Sequence, residues 1–167
     1  MSKTLLIVYH SMTGGARQMA EAAAEGARAE AEPLGGRVAL KHAADAGPDD
    51  LLAADGYLFV TPENLAAISG VMKDFFDRSY YPVLEALQGR PYATMVCAGS
   101  DGHNAARQVA RIAMGWRLKP VSEPVIICTH AQTPEAILAP KHLSDDDLQT
   151  CRALGESMAA GLLLGVF

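Results

Sequence analysis

Cysteine is scarce in this sequence. The three present among 167 residues, Cys97, Cys128 and Cys151, are odd in number, form no Cys-x-x-Cys and stand at no ligand-like spacing from histidine. Neither a disulfide framework nor a zinc site is expected, no other metal is implied, and a reducing cytoplasm suits the chain best. Basic charge is also short. Fourteen Lys and Arg face 19 Asp and Glu, a net charge of −5 with no basic stripe, so nucleic acid and anionic membrane surfaces are poor partners while small ligands stay open. No apolar run reaches the roughly 20 residues that cross a bilayer, and the ten apolar residues 158–167 must pack on protein. Met1-Ser2-Lys3 leads into Thr4-Leu5-Leu6-Ile7-Val8-Tyr9, which reads as a strand and not as a leader. Two phosphate motifs are missing as well: there is no Gly-Lys-Ser/Thr and no Gly-x-Gly-x-x-Gly, and Lys41-His42 stand where a dinucleotide fold needs an acid. A phospho-acceptor site needs clustered carboxylates, but Tyr9-His10 and Thr61-Pro62 hold those positions.

What is present is a balance of 50% apolar and 20% charged residues, which fits a single globular domain over residues 1–167. Four short, nearly unalternating apolar runs at 5–9, 57–61, 92–98 and 125–129 have the look of strands buried on both faces. A fifth, 37–41, alternates as an edge strand would. Helical spacings of three and four separate them at 16–31, 68–79, 106–113 and 148–158, with a poorly marked stretch at 43–54. Alternating strands and helices predict an α/β fold: a doubly wound, three-layer, five-stranded parallel sheet in the order 2-1-3-4-5.

In such a sheet the ligand crevice lies beyond the carboxyl ends of the strands. The loop after the first strand, Ser11-Met12-Thr13-Gly14-Gly15-Ala16, sets two hydroxyls and two glycines before a helix, where free amide groups and the helix dipole bind phosphate. It holds no lysine, so dipoles and hydrogen bonds are expected to carry the recognition. The loops after the third strand, Pro62-Glu63-Asn64-Leu65, and after the fourth, Gly99-Ser100-Asp101-Gly102-His103, close the other sides.

On these loops the chain resembles the flavodoxin-like FMN-binding superfamily, and within it the NAD(P)H-dependent FMN and quinone reductases. Tyr9-His10-Ser11-Met12-Thr13-Gly14 is similar to the family's phosphate loop. Lys73-Asp74-Phe75-Phe76-Asp77-Arg78 resembles the reductases' Lys-x-Phe-x-Asp-Arg helix, and is the more discriminating stretch. The resemblance implies that Ser11, Met12, Thr13, Gly14, Gly15 and Ala16 hold the FMN phosphate, that Pro62, Glu63, Asn64 and Leu65 meet the isoalloxazine edge, and that Gly99, Ser100, Asp101, Gly102 and His103 line its other side. NADH or NADPH would be the donor, and a quinone, free flavin or similar small molecule the acceptor. Ala16 replaces a hydroxyl residue of the flavodoxin loop, and neither ring-lining loop carries Trp, Tyr or Phe. An open flavin face favours an enzyme, since hydride transfer needs a second ring stacked on it.

His103 is a candidate proton donor or acceptor beside the ring, and Asp101 reads first as a helix cap. A flavodoxin-type electron carrier without turnover is the principal alternative, and a module that has lost its cofactor is another. A more remote one is a serine hydrolase, in which Ser100 sits at a strand-to-helix turn with His130 or His142 downstream. A helix over 158–167 would be apolar nearly all round, which predicts self-association as a homodimer or homotetramer.

Overall fold

The computed structural model describes residues 2–167. In chain order its elements are β1 (Thr4–Tyr9), α1 (Gly15–Ala31), β2 (Arg37–His42), α2 (Pro48–Ala53), β3 (Gly56–Asn64), β4 (Ala67–Ile68), α3 (Gly70–Ser79), β5 (Pro91–Ala98), α4 (His103–Gly115), β6 (Lys119–Pro120), β7 (Val125–Cys128), α5 (Pro134–Leu138) and α6 (Asp145–Leu163). Strands β2, β1, β3 and β5 pair in that order, all parallel. The far edge of β5 then carries two short strands, β6 opposite Pro91 and Tyr92, and β7 opposite Met95 to Ala98. With β6 and β7 taken as one interrupted edge strand, this is the 2-1-3-4-5 order expected of a flavodoxin-like α/β fold. Pro120 and Pro124 flank the interruption and cannot donate to a ladder, which confines that chain to an edge. β3 outlasts its expected end at Thr61, because Glu63 and Asn64 pair antiparallel with Ile68 and Ala67 of β4.

The sheet is apolar on both faces. Leu5, Ile7, Leu58, Val60, Ala93, Met95 and Cys97 point to one side, under α1 and α6. Leu6, Val8, Tyr57, Phe59, Tyr92 and Val96 point to the other, under α2, α3 and α4. That second side is aromatic: Phe59 and Phe76 centroids lie 5.2 Å apart, and Phe76 and Trp116 5.7 Å. Trp116 is a core residue, its Nε1 donating to the Tyr80 carbonyl at 3.0 Å.

Alanine dominates the buried side of α1, so this helix lies close to the sheet and to α6. Gly26 abuts the Arg152 carbonyl and Gly155 abuts the Ala23 carbonyl, so closely that a Cβ on either would collide with backbone. On the opposite face Arg78 donates to the carbonyls of Ala43 (2.9 Å) and Ala46 (3.1 Å) and to Asp74 (2.7 Å). The arginine of the Lys-x-Phe-x-Asp-Arg stretch thus ties α3 to the loop after β2.

The apolar C-terminal segment behaves differently from the all-round helix expected of it. α6 stops at Leu163, Gly165 turns the chain with φ 71°, and the Val166 amide returns to the Gly161 carbonyl at 2.9 Å. The Phe167 ring then lies directly on Gly161, and Leu163 packs on Gly36. Leu164 and Val166 are its exposed large apolar residues, and the helix apolar nearly all round from which self-association was expected does not form.

Gly155→Ala is expected to destabilise the protein by about 1–3 kcal/mol, the usual cost of overpacking, with a lower urea midpoint as the readout. Gly70→Ala is its control. Nothing lies near that site at the exposed start of α3, and alanine there should leave stability unchanged or raise it by up to about 1 kcal/mol.

Candidate functional site

The loop after β1 is closed by its own side chains. Ser11 Oγ accepts the Gly14 amide at 3.0 Å, and Gly14, with φ 99°, is the residue before α1. No side chain caps that helix. Its first internal bond runs from the Gln18 amide to the Gly14 carbonyl at 3.1 Å, so the amides of Gly15, Ala16 and Arg17 have no acceptor within the helix. Gly15 serves packing as much as ligand approach, since a Cβ there would strike Cys97 Sγ. Burial pushes the Cys97 thiol up to about 11, which makes it an apolar floor and not a nucleophile.

This loop opens onto two connected recesses. The narrow one, about 60 Å³, is lined by Ser11, Thr13, Gly15, Ala16, Cys97 and Lys141, among others. The wider one, about 590 Å³, is bounded by Met12, Glu63, Asn64, Leu65, Gly99, Ser100, Ile137 and Leu138. Glu63 Oε2 is buried without a hydrogen-bond partner. The Glu63–Ile68 hairpin turns at Leu65 and Ala66, both left-handed with φ 50° and 62°, a conformation that costs side-chain-bearing residues on the order of 1 kcal/mol or more each. α4 holds the hairpin in place: Asn104 donates to the Ala66 carbonyl at 2.5 Å, and the Ile68 amide donates to Gln108 Oε1 at 2.9 Å.

Lys141 was not visible as a site residue from the sequence. The chain between β7 and α6 crosses the loop after β1, and Lys141 Nζ lies 3.2 Å from Thr13 Oγ1. The loop itself holds no lysine, as read from the sequence, and one arrives beside it from 128 residues downstream. The signal available was position alone, since this segment also follows a strand at its carboxyl end.

Ser11, Met12, Thr13, Gly15, Ala16, Pro62, Glu63, Asn64, Leu65, Gly99 and Ser100 are brought around the recesses. Gly14, Asp101, Gly102 and His103 line neither. Gly102 is buried at φ 90°, where a Cβ would meet Ile126. Asp101 lies at the exposed start of α4, 2.7 Å from His103 Nδ1, and hydrogen bonds to the side chain and backbone of His103 lower its carboxyl below the ordinary range. His103 is exposed and borders neither recess. Among the described residues no imidazole hydrogen-bonds to Ser100, the imidazole bonds being those of His10, His42 and His103. Ser100 thus lacks the positioned base an activated nucleophile needs.

His10 joins two walls of the site. Its Nδ1 is 2.7 Å from Ser69 Oγ, which also accepts the Met72 amide and so caps α3. The Ser69 amide in turn donates to Thr61 Oγ1 at 3.3 Å. With the hydroxyl already accepting, the arrangement suits a neutral imidazole that takes the Ser69 proton. Burial, and then the nearby His42 ring, push His10 below its ordinary 6.5. The unfolded chain consequently binds this proton more readily than the folded protein, so stability should fall as pH drops below 6.5. Urea midpoints measured at about pH 7.5 and about pH 5 should differ less in His10→Gln than in the parent protein.

The profile of the NADPH-dependent FMN reductase family matches residues 4–133. A flavodoxin of Aquifex aeolicus is 32% identical over 163 residues, covering 93% of this chain and 84% of that protein. An NAD(P)H dehydrogenase (quinone) of Acidithiobacillus ferrooxidans is 39% identical over 92 residues, 45% of this chain and 46% of its own length. Among solved structures, a flavodoxin from the domain Archaea superposes with a TM-score of 0.73 at 20% identity, over 95% of this chain and 98% of that one. With its flavodoxin-like sheet and a family match over most of its length, the chain belongs to the NADPH-dependent FMN reductase family.

Proposed function

We propose that this protein binds FMN at the α1 N-terminus and uses it to pass electrons from NADH or NADPH to a quinone, a free flavin or a similar small acceptor. The observation that carries the reading is the junction of a narrow, amide-rich recess with a wider cleft whose outer rim is apolar. The residues fit the group. Free amides at Gly15, Ala16 and Arg17, with the hydroxyls of Ser11 and Thr13, suit a phosphate. The orphaned Glu63 Oε2 is an acceptor awaiting a donor of the kind a flavin edge offers. Gly99 passes so near the Ala131 carbonyl that a side chain there would crowd the cleft.

When bound, FMN supplies two-electron chemistry, accepting a hydride from a reduced nicotinamide and returning two electrons with protons to the acceptor. The protein's part is placement. Pro62, Glu63, Asn64 and Leu65 would hold one ring edge, and Gly99 and Ser100 the other. Met12, Leu65, Ile137 and Leu138 are all substantially exposed around the wider recess, and they offer a flat donor or acceptor an apolar place to stack within about 3–3.5 Å of the ring.

The similarity to the Aquifex flavodoxin, which extends over most of the chain, favours a second reading, an electron carrier without turnover. Anaerobic stopped-flow mixing of the FMN-loaded protein with NADPH separates the two. An enzyme bleaches the flavin absorbance and shows ping-pong kinetics with a quinone, whereas a carrier shows no direct reduction. Thr13→Ala should weaken FMN binding by about 1.5–3 kcal/mol, as for a lost hydrogen bond to a charged group, read by flavin fluorescence titration. Unchanged affinity would move the phosphate away from this loop.

A further inference from the structure

We propose that Lys141 is a cationic ligand of the flavin phosphate, delivered by the segment between β7 and α6. The proposal rests on the FMN reading above and adds to it a charge that the phosphate loop itself lacks.

The backbone of Lys141 is fixed to the loop. Its amide donates to the Thr13 carbonyl at 2.9 Å, and Gln18, in the first turn of α1, donates to both the Lys141 carbonyl (2.7 Å) and the Gly14 carbonyl (2.8 Å). Gln18 Oε1 also accepts the Leu143 amide at 3.1 Å. One side chain thus binds the crossing segment to the phosphate loop, and the position of the ammonium follows from a pinned backbone.

Its surroundings are electrostatically incomplete. Nζ bonds to Thr13 Oγ1 (3.2 Å), Ile137 O (2.8 Å) and Ala139 O (2.6 Å), all neutral oxygens. None of the ion pairs among the described residues includes Lys141. Glu63 lines the same recess, and Asp147 acts on the same Cys97 thiol as Lys141 does, yet neither reaches ion-pair distance. The ammonium also stands beside the N-terminus of α1, the positive end of a helix, where a cation is repelled. Two positive groups converging on one recess, without a carboxylate between them, form a site for a dianion. The lysine also offsets the hydroxyl missing at Ala16.

The test compares FMN with riboflavin, which has the same ring and no phosphate, by fluorescence titration of the full chain. Lys141→Gln should weaken FMN binding about 10- to 100-fold and leave riboflavin binding unchanged, and Lys141→Arg should recover most of the FMN affinity. The FMN affinity of the parent protein should fall with added salt more steeply than that of Lys141→Gln. Equal losses for FMN and riboflavin would show that the lysine only holds the segment in place, and would overturn the proposal. Unchanged FMN affinity in Lys141→Gln would overturn it too, with the flavin site intact. A parent protein that binds neither flavin would overturn the FMN reading itself.

Discussion

The site depends on how closely α1 can approach its neighbours. A helix N-terminus attracts an anion only where its free amides face a cavity, and α1 reaches the crevice because Gly15 lets it settle on Cys97 while Gly26 and Gly155 let it lie backbone to backbone against α6. A buried face of alanines completes the contact, giving small contact radii along the whole helix. Larger side chains there would lift α1 from the sheet and turn the amides of residues 15–17 away from the ends of β3 and β5.

The parallel core was legible in the sequence because strands buried on both faces lose their alternation and stand out as continuous apolar runs. The loops after β1 and β3 followed from topology, since ligands gather at the carboxyl ends of such a sheet. The parts that escaped were small or distant. β4 and β6 have two residues each and α5 has five, too few for any period to register. Lys141 escaped because its place beside Thr13 depends on a chain crossing rather than on a local pattern. Nor does a local pattern tell that Asp101 and His103 stand exposed beside a buried Gly102 at the start of α4, since burial is decided by packing.

The walls of the site come from separate parts of the chain, yet polar side chains connect them. His10 at the end of β1 meets Ser69, Ser69 caps α3 and meets Thr61 of β3, and Asn104 and Gln108 of α4 hold the hairpin whose turn is left-handed at two residues without being glycine. The unfavourable turn persists because α4 over-determines it. Gln18 does the same for the segment carrying Lys141. Bonds of this kind keep loops in place while leaving the cleft open on its apolar side.

The pairing of α1 with α6 also sets an order of assembly during synthesis. Residues 11–15 are made well before residues 145–163, which cover the helix that seats them, and before the segment that crosses them and is tied down through Leu143. Domains fold as units once their long-range contacts become available. The nascent chain therefore carries an early-made but uncovered loop after β1 until α6 emerges, and a chain halted after β7 would hold all five sheet positions without the helix that covers α1.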